Sequence, residues 1–218
     1  LADVAHTLRV GRKAFAHRAC VVAESAAEAV EALRTDDPSR RTTGEIAAWG
    51  PQAVSLFPGQ GAQSPGMGRA LQAGEPAFRA AFDECLQAFE GVLSFDLRER
   101  MFSDDDAALK PTSVTQPAPF APECALARHL QTLGGRPAAL IGHSGGEFAA
   151  AVLAGVMQLG DAARLVARRG ALMQSMPEGD MLSVRMPAGE LSAQLPVGIS
   201  LAAGNGPDAC AAAGPAAL

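Results

Sequence analysis

The chain has 218 residues, 48% of them hydrophobic and 5% aromatic, which is enough apolar material for one large domain or two small ones. Its net charge is −5, and sixteen of its eighteen basic residues are arginine; no basic cluster points to a nucleic-acid surface. Cys20, Cys85, Cys124 and Cys210 stand too far apart for a zinc site or a small disulfide scaffold, no segment reads as a signal peptide, and the longest apolar run, 148–157, is too short for a bilayer, so a cytoplasmic protein with free thiols is expected.

Residues 1–50 read as a small αβ unit. Val4 and Leu8, four apart, share one helical face, and Gly11 is placed to end that helix. Residues 19–23 (ACVVA) read as a strand, and Ser25 with Glu28 as a capping box opening a helix through Leu33. Residues 35–44 are polar and aperiodic, a loop or linker and a candidate boundary. Residues 53–57 (AVSLF) form the next strand candidate and run into Pro58-Gly59-Gln60-Gly61-Ala62-Gln63. Such a turn exposes backbone N–H groups that suit an oxyanion, or it is an ordinary tight turn. No Gly-Lys-Ser/Thr follows, so it is not a Walker phosphate loop.

Residues 76–89 read as an amphipathic helix with Phe78, Phe82, Cys85 and Phe89 on a core face. Residues 103–106 form an acidic, solvated turn rather than a metal site. The proline-rich residues 111–122 are expected to be at least partly irregular, and residues 123–133 to be a helix ended by Gly134 and Gly135.

Residues 137–156 hold the strongest pattern. Ala138 to Ile141 read as a short buried strand, Gly142-His143-Ser144-Gly145-Gly146 as a sharp turn, and the apolar stretch after it as a helix. Strand, G-x-S-x-G and helix make a nucleophile elbow, in which the turn exposes the serine and the helix N-terminus faces developing negative charge. The plainer alternative is a glycine-rich turn with an incidental serine.

Gly160 and Asp161 are placed to cap a helix running to about Met176. Ala162, Leu165, Val166, Leu172, Met173 and Met176 form one apolar stripe on it, and Arg169 falls on that stripe, with Arg164 and Arg168 on the flank. An arginine facing the core needs an anion; a structural carboxylate, an escape past the helix edge and a bound ligand all satisfy that. Residues 181–186, 188–195, 199–203 and 209–213 then read as strand, helix, strand and strand, most of a ferredoxin-like unit.

Four motifs in this order resemble the malonyl-CoA:acyl carrier protein transacylase family: Gly59-Gln60-Gly61-Ala62-Gln63, Thr115-Gln116-Pro117-Ala118, Gly142-His143-Ser144-Gly145-Gly146-Glu147 and Arg169-Gly170-Ala171-Leu172-Met173-Gln174. Residues 1–50, with Leu8-Arg9-Val10-Gly11-Arg12 and Ala16-His17-Arg18, look like the linker between ketosynthase and acyltransferase in modular polyketide synthases. The resemblance covers the whole chain and implies an α/β fold: an αβ linker over 1–50, a hydrolase-like, doubly wound large subdomain over 51–180, and the start of a ferredoxin-like small subdomain over 181–218.

The resemblance also implies roles. Ser144 would be the nucleophile, and Gln60 and Gly145 would supply oxyanion-hole amides. Arg169 would pair with the free carboxylate of a malonyl-type group, Gln116 would line the acyl pocket, and His143 would support the elbow rather than act as base. The acyl group would come from coenzyme A and pass to the phosphopantetheine arm of an acyl carrier protein, beside a ketosynthase, with no metal, bound cofactor, nucleic acid or membrane. Residues 115–118 look like the malonyl-type version of their motif.

Two departures matter. Gly145 is smaller than the usual residue there, which leaves the pocket floor roomier. The family's catalytic histidine comes late in the domain, and none of the 74 residues after Ser144 (218 − 144) is histidine. The chain opens on Leu1 and stops at Ala-Ala-Leu, so it reads as a piece of a longer polypeptide that lacks that base. A serine esterase or patatin-like hydrolase, and a non-catalytic docking remnant, are the alternatives.

Overall fold

The computed structural model describes residues 1–46 and 53–216. By their internal contacts they fall into two units, Leu1–Val54 with Pro137–Ala139, and Ser55–Arg136 with Leu140–Leu218.

In the first unit, α1 (Ala2–Val10) is followed by β1 (His17–Val21), α2 (Ala26–Thr35) and β2 (Arg41–Glu45). Ser25 Oγ accepts the Glu28 N–H at 3.2 Å, as the capping pattern requires. Glu28 Oε2 reaches back one residue further than a standard box, to the Glu24 N–H at 3.1 Å. β2 corrects the sequence reading, which has only a loop there. Arg41 to Glu45 pair antiparallel with β1, Ala19 opposite Thr43. Thr42 and Thr43 suit a pleated strand, but a strand this short and polar carries no alternation to read.

β3 (Ala53–Phe57) and β4 (Pro137–Gly142) are neighbours in a two-stranded sheet. β4 lies where expected but is not buried: Ile141 is 53% exposed, because among the described residues the strand has one neighbour and one partly covered face. Between them run α3 (Arg69–Gly74), α4 (Pro76–Gln87), α5 (Leu97–Met101), a 3-10 turn (Asp106–Leu109), α6 (Thr112–Thr115) and α7 (Pro117–Thr132).

The core forms where α4 meets α7. Phe78, Phe82 and Cys85 of the first, with Phe89 in the turn just after it, and Phe120, Ala121, Cys124 and Ala125 of the second are buried together. Phe82 stacks on Phe78 at 5.5 Å, and Phe89 meets Phe120 edge-on at 5.8 Å. The proline-rich stretch is broken at Pro111 and Gln116, as expected in part, but is otherwise helical. Pro117 and Pro119 sit in the first turn of α7, where no intrahelical N–H is needed, and only Pro122 removes an interior donor. Burial of this segment outweighs that loss.

α8 (Gly146–Leu153) and α9 (Leu159–Gln174) follow β4. Asp161 lies in the first turn of α9, whose N-cap is Gln158. The buried face of α9 is Ala162, Ala163, Val166, Ala167 and Gly170. Leu165, Leu172, Met173 and Met176 are exposed, so the apolar stripe read from sequence is rotated from the true one. Small residues, not large ones, mark the packed side here, because α6 and α7 lie close against it. Arg169 therefore stands at the margin of the packed face and is only half-buried.

The chain ends in β5 (Gly179–Val184), α10 (Ala188–Gln194), β6 (Ser200–Gly206) and β7 (Ala209–Pro215). They form an antiparallel sheet in the order β5-β7-β6 around Leu191, Cys210 and Ala212. That order is the one a ferredoxin-like β-α-β-β series gives.

Candidate active site

The turn between β4 and α8 presents Ser144. Its φ is 52°, a left-handed conformation rare for a residue with a Cβ. The His143 N–H donates to Phe57 O at 2.8 Å and ties the turn to the end of β3. Gly146 packs so closely beneath it that a Cβ would lie 2.2 Å from Phe57 O and 2.6 Å from Pro58 O. Only glycine lets α8 start there.

The loop after β3 approaches from the other side. A Cβ on Gly59 would lie 2.6 Å from His143 O and 3.0 Å from Ser144 Cβ. The missing side chain lets the loop backbone at Gly59, which leads into Gln60, come up against the serine. Among the described residues, neither the Gln60 nor the Gly145 N–H has a hydrogen-bond partner. Free amides next to an exposed hydroxyl can stabilise an oxyanion. Gly61, at φ 108°, turns the loop, and its N–H donates to Gln63 Oε1 at 2.8 Å.

Three further side chains form a connected chain. Gln116, only 4% exposed, donates from Nε2 to Gln60 Oε1 at 2.7 Å. Its Oε1 accepts from Arg169 Nη1. Arg169 Nη2 donates to Ser144 Oγ at 3.3 Å. The structure thus brings Gln60, Gln116, Ser144 and Arg169 together from four separate segments, with Gly145 beside them, since a Cβ there would sit 3.6 Å from Gln116 Oε1. The His143 side chain is exposed and makes no hydrogen bond among the described residues. A cavity of about 460 Å³ opens beside the Gln60 loop, lined in part by Gln63, Ser64, Lys110 and Thr115.

Sequence reasoning used Gln60 only for its backbone; the side-chain bond to Gln116 was not foreseen. Gly170 and Gln174 also meet this region, and both lay in a motif already quoted, four apart on one helix face.

No helix among the described residues is long and apolar enough to cross a membrane. Residues 54–217 match the acyl transferase domain family, and residues 1–33 match a C-terminal region described as CurL-like, of polyketide synthases. The phenolphthiocerol synthesis polyketide synthase type I Pks15/1 of Mycobacterium marinum is 41% identical over 210 residues, covering 94% of this chain and 10% of that protein. The acyltransferase domain from the second module of the salinomycin polyketide synthase superposes with a TM-score of 0.81 at 45% identity, over 100% of this chain and 52% of that one. The acyltransferase domain of SpnD, solved with 2-(pent-4-yn-1-yl)malonyl, does so at 0.88 and 39% identity, again over 100% and 52%. The chain therefore spans about half the length of these solved domains and a tenth of that synthase. Neither a hydrolase nor a docking remnant is favoured by these matches, and the α/β architecture is that of the solved domains. An elbow serine, an arginine within reach of it and these relatives agree: the chain belongs to the acyl transferase domain family of polyketide synthases.

Proposed function

We propose that Ser144 carries a malonyl-type extender unit from coenzyme A to the phosphopantetheine thiol of an acyl carrier protein during polyketide synthesis. The observation that supports this most is Arg169, hydrogen-bonded at once to Ser144 Oγ and to the Gln116 carboxamide. A permanent cation beside the nucleophile suits an acyl group that itself ends in a carboxylate.

In this reading Ser144 Oγ attacks the thioester carbonyl and loses its proton to a histidine. The resemblance puts that histidine late in the domain; among the described residues neither His129 nor His143 bonds to Ser144. The amides of Gln60 and Gly145 hold the oxyanion. The C–S bond breaks, and the coenzyme A thiolate leaves with the proton. The carrier thiol then attacks the seryl ester, and Ser144 recovers its hydrogen. Arg169 and Gln116 hold the carboxylate end throughout, and His143 supports the turn. No metal or resident cofactor has a part.

The neighbouring ketosynthase is the second partner, linked through residues 1–50; residues 51–180 and 181–218 are the large and small subdomains. The work is done in the cytoplasm. The motif at 115–118 favours malonyl over methylmalonyl.

The test uses the full-length natural protein with malonyl-CoA and a phosphopantetheinylated carrier protein, beside p-nitrophenyl acetate as a neutral ester. Transfer to the carrier, with little ester hydrolysis, is expected. Hydrolysis without transfer would make it an esterase, and neither activity would make it a docking module.

A further inference from the structure

We propose that Gly170 and Gln174 are positioning residues for substrate selection: they seat α6 on α9 and so fix where the Arg169 guanidinium lies. The proposal rests on the malonyl-transfer reading above and adds two residues to it.

An arginine side chain is long and flexible, and being on α9 does not by itself aim it. Its aim comes from Gln116, whose Oε1 accepts from Nη1. Gln116 in turn directly follows α6, a single helical turn. So short a helix does not hold its own place. Its N-cap is Pro111, with no side chain capping its first N–H groups.

α9 supplies what α6 lacks. Gln174 Oε1 accepts the Ser113 N–H at 3.4 Å, bridging 61 residues of sequence. One turn earlier, Gly170 is buried against the same segment. A Cβ there would meet Gln116 Cβ at 3.2 Å, Ser113 Cα at 3.2 Å and Thr112 O at 3.3 Å. Each contact is tighter than nine in ten real ones, so a side chain would push α6 away by a few tenths of an ångström. Glycine is a poor residue for the middle of a sixteen-residue helix. Its presence is explained by the close approach, and the approach carries Gln116 to Arg169.

A shift of a few tenths of an ångström takes up most of the roughly 0.5 Å within which a binding constellation has to be held. Gly170→Ala and Gln174→Ala should therefore each lower the malonyl-to-acetyl acylation ratio, by roughly three- to tenfold. Gln174→Glu keeps an acceptor oxygen and should return the ratio toward the parent's. A purely structural role predicts the opposite pattern, a changed melting temperature with an unchanged ratio.

The experiment measures acylation of Ser144 by malonyl-CoA and by acetyl-CoA, and the melting temperature, in the full-length protein and these variants, with Arg169→Ala and Ser144→Ala alongside. Gln174 is exposed, so its two variants decide the matter if Gly170→Ala does not fold. A lowered ratio in the alanine variants with rescue by Gln174→Glu supports the proposal. A lowered ratio in Arg169→Ala but an unchanged one in Gly170→Ala and Gln174→Ala overturns it and leaves the malonyl reading standing. An unchanged ratio in Arg169→Ala, or acylation surviving Ser144→Ala, overturns that reading and the proposal with it.

Discussion

Arg169 Nη2 lies 3.3 Å from Ser144 Oγ, so a guanidinium fork stands against the hydroxyl that the elbow exposes. The pair joins two elements 25 residues apart, the turn before α8 and the third turn of α9. A carboxylate carried on the acyl group would meet that fork as the acyl group reaches the serine.

Arg169→Ala should slow malonyl transfer and relax discrimination against acetyl groups. A charge-assisted pair of this kind contributes on the order of 1.5–3 kcal/mol, or roughly ten- to a hundredfold in selectivity. Arg169→Lys should recover part of it, because an ammonium lacks the fork. Arg168 is exposed, next to the pair in sequence but on another side of the helix, and Arg168→Ala should change little. Acylation rates with the two thioesters, compared across the three variants, check this.

Gly146→Ala should destabilise the protein and stop acylation together. The added carbon would fall 2.2 Å from Phe57 O and cannot be accommodated without moving α8 or β3. Overpacking of this kind costs about 1–3 kcal/mol. Denaturant unfolding measures the loss; a variant as stable and as active as the parent would show that the elbow is looser than described.

Glu123, on α7, should give stability an unusual pH dependence. Burial pushes its carboxyl up to about 8 from 4.5, and Oε1 has no hydrogen-bond partner among the described residues. Between those two values the unfolded chain is ionised while the folded one keeps its proton. The folded state binds more protons there, so stability falls as pH rises from about 4.5 to 8 and levels off above. The loss is at most about 1.4 kcal/mol per pH unit. Glu123→Gln should flatten that window, as melting temperatures at pH 5, 6, 7 and 8 (roughly evenly spaced across it) would reveal.

Much of this site was legible because its constraints are local. The elbow needs glycine at fixed places around one serine, and those places are adjacent in sequence. The core face of α4 was legible because Phe78, Phe82 and Cys85 repeat at helical spacing. What failed to show depends on partners distant in sequence. β2 is a strand only because β1 lies beside it. Large apolar residues do not mark the packed face of α9, because close contact with α6 selects alanine and glycine there. The bond between the Gln60 and Gln116 side chains spans 56 residues, and no pattern within either segment announces it.

The claim at the centre of this account is that Ser144 takes the acyl group, and its most direct test is to weigh the peptide that contains it. The full-length protein is mixed with malonyl-CoA, quenched, digested and analysed by mass spectrometry. The account predicts a malonyl group on Ser144, absent in Ser144→Ala and removed when carrier protein is added. A malonyl group on another residue, or one that persists in Ser144→Ala, would contradict it.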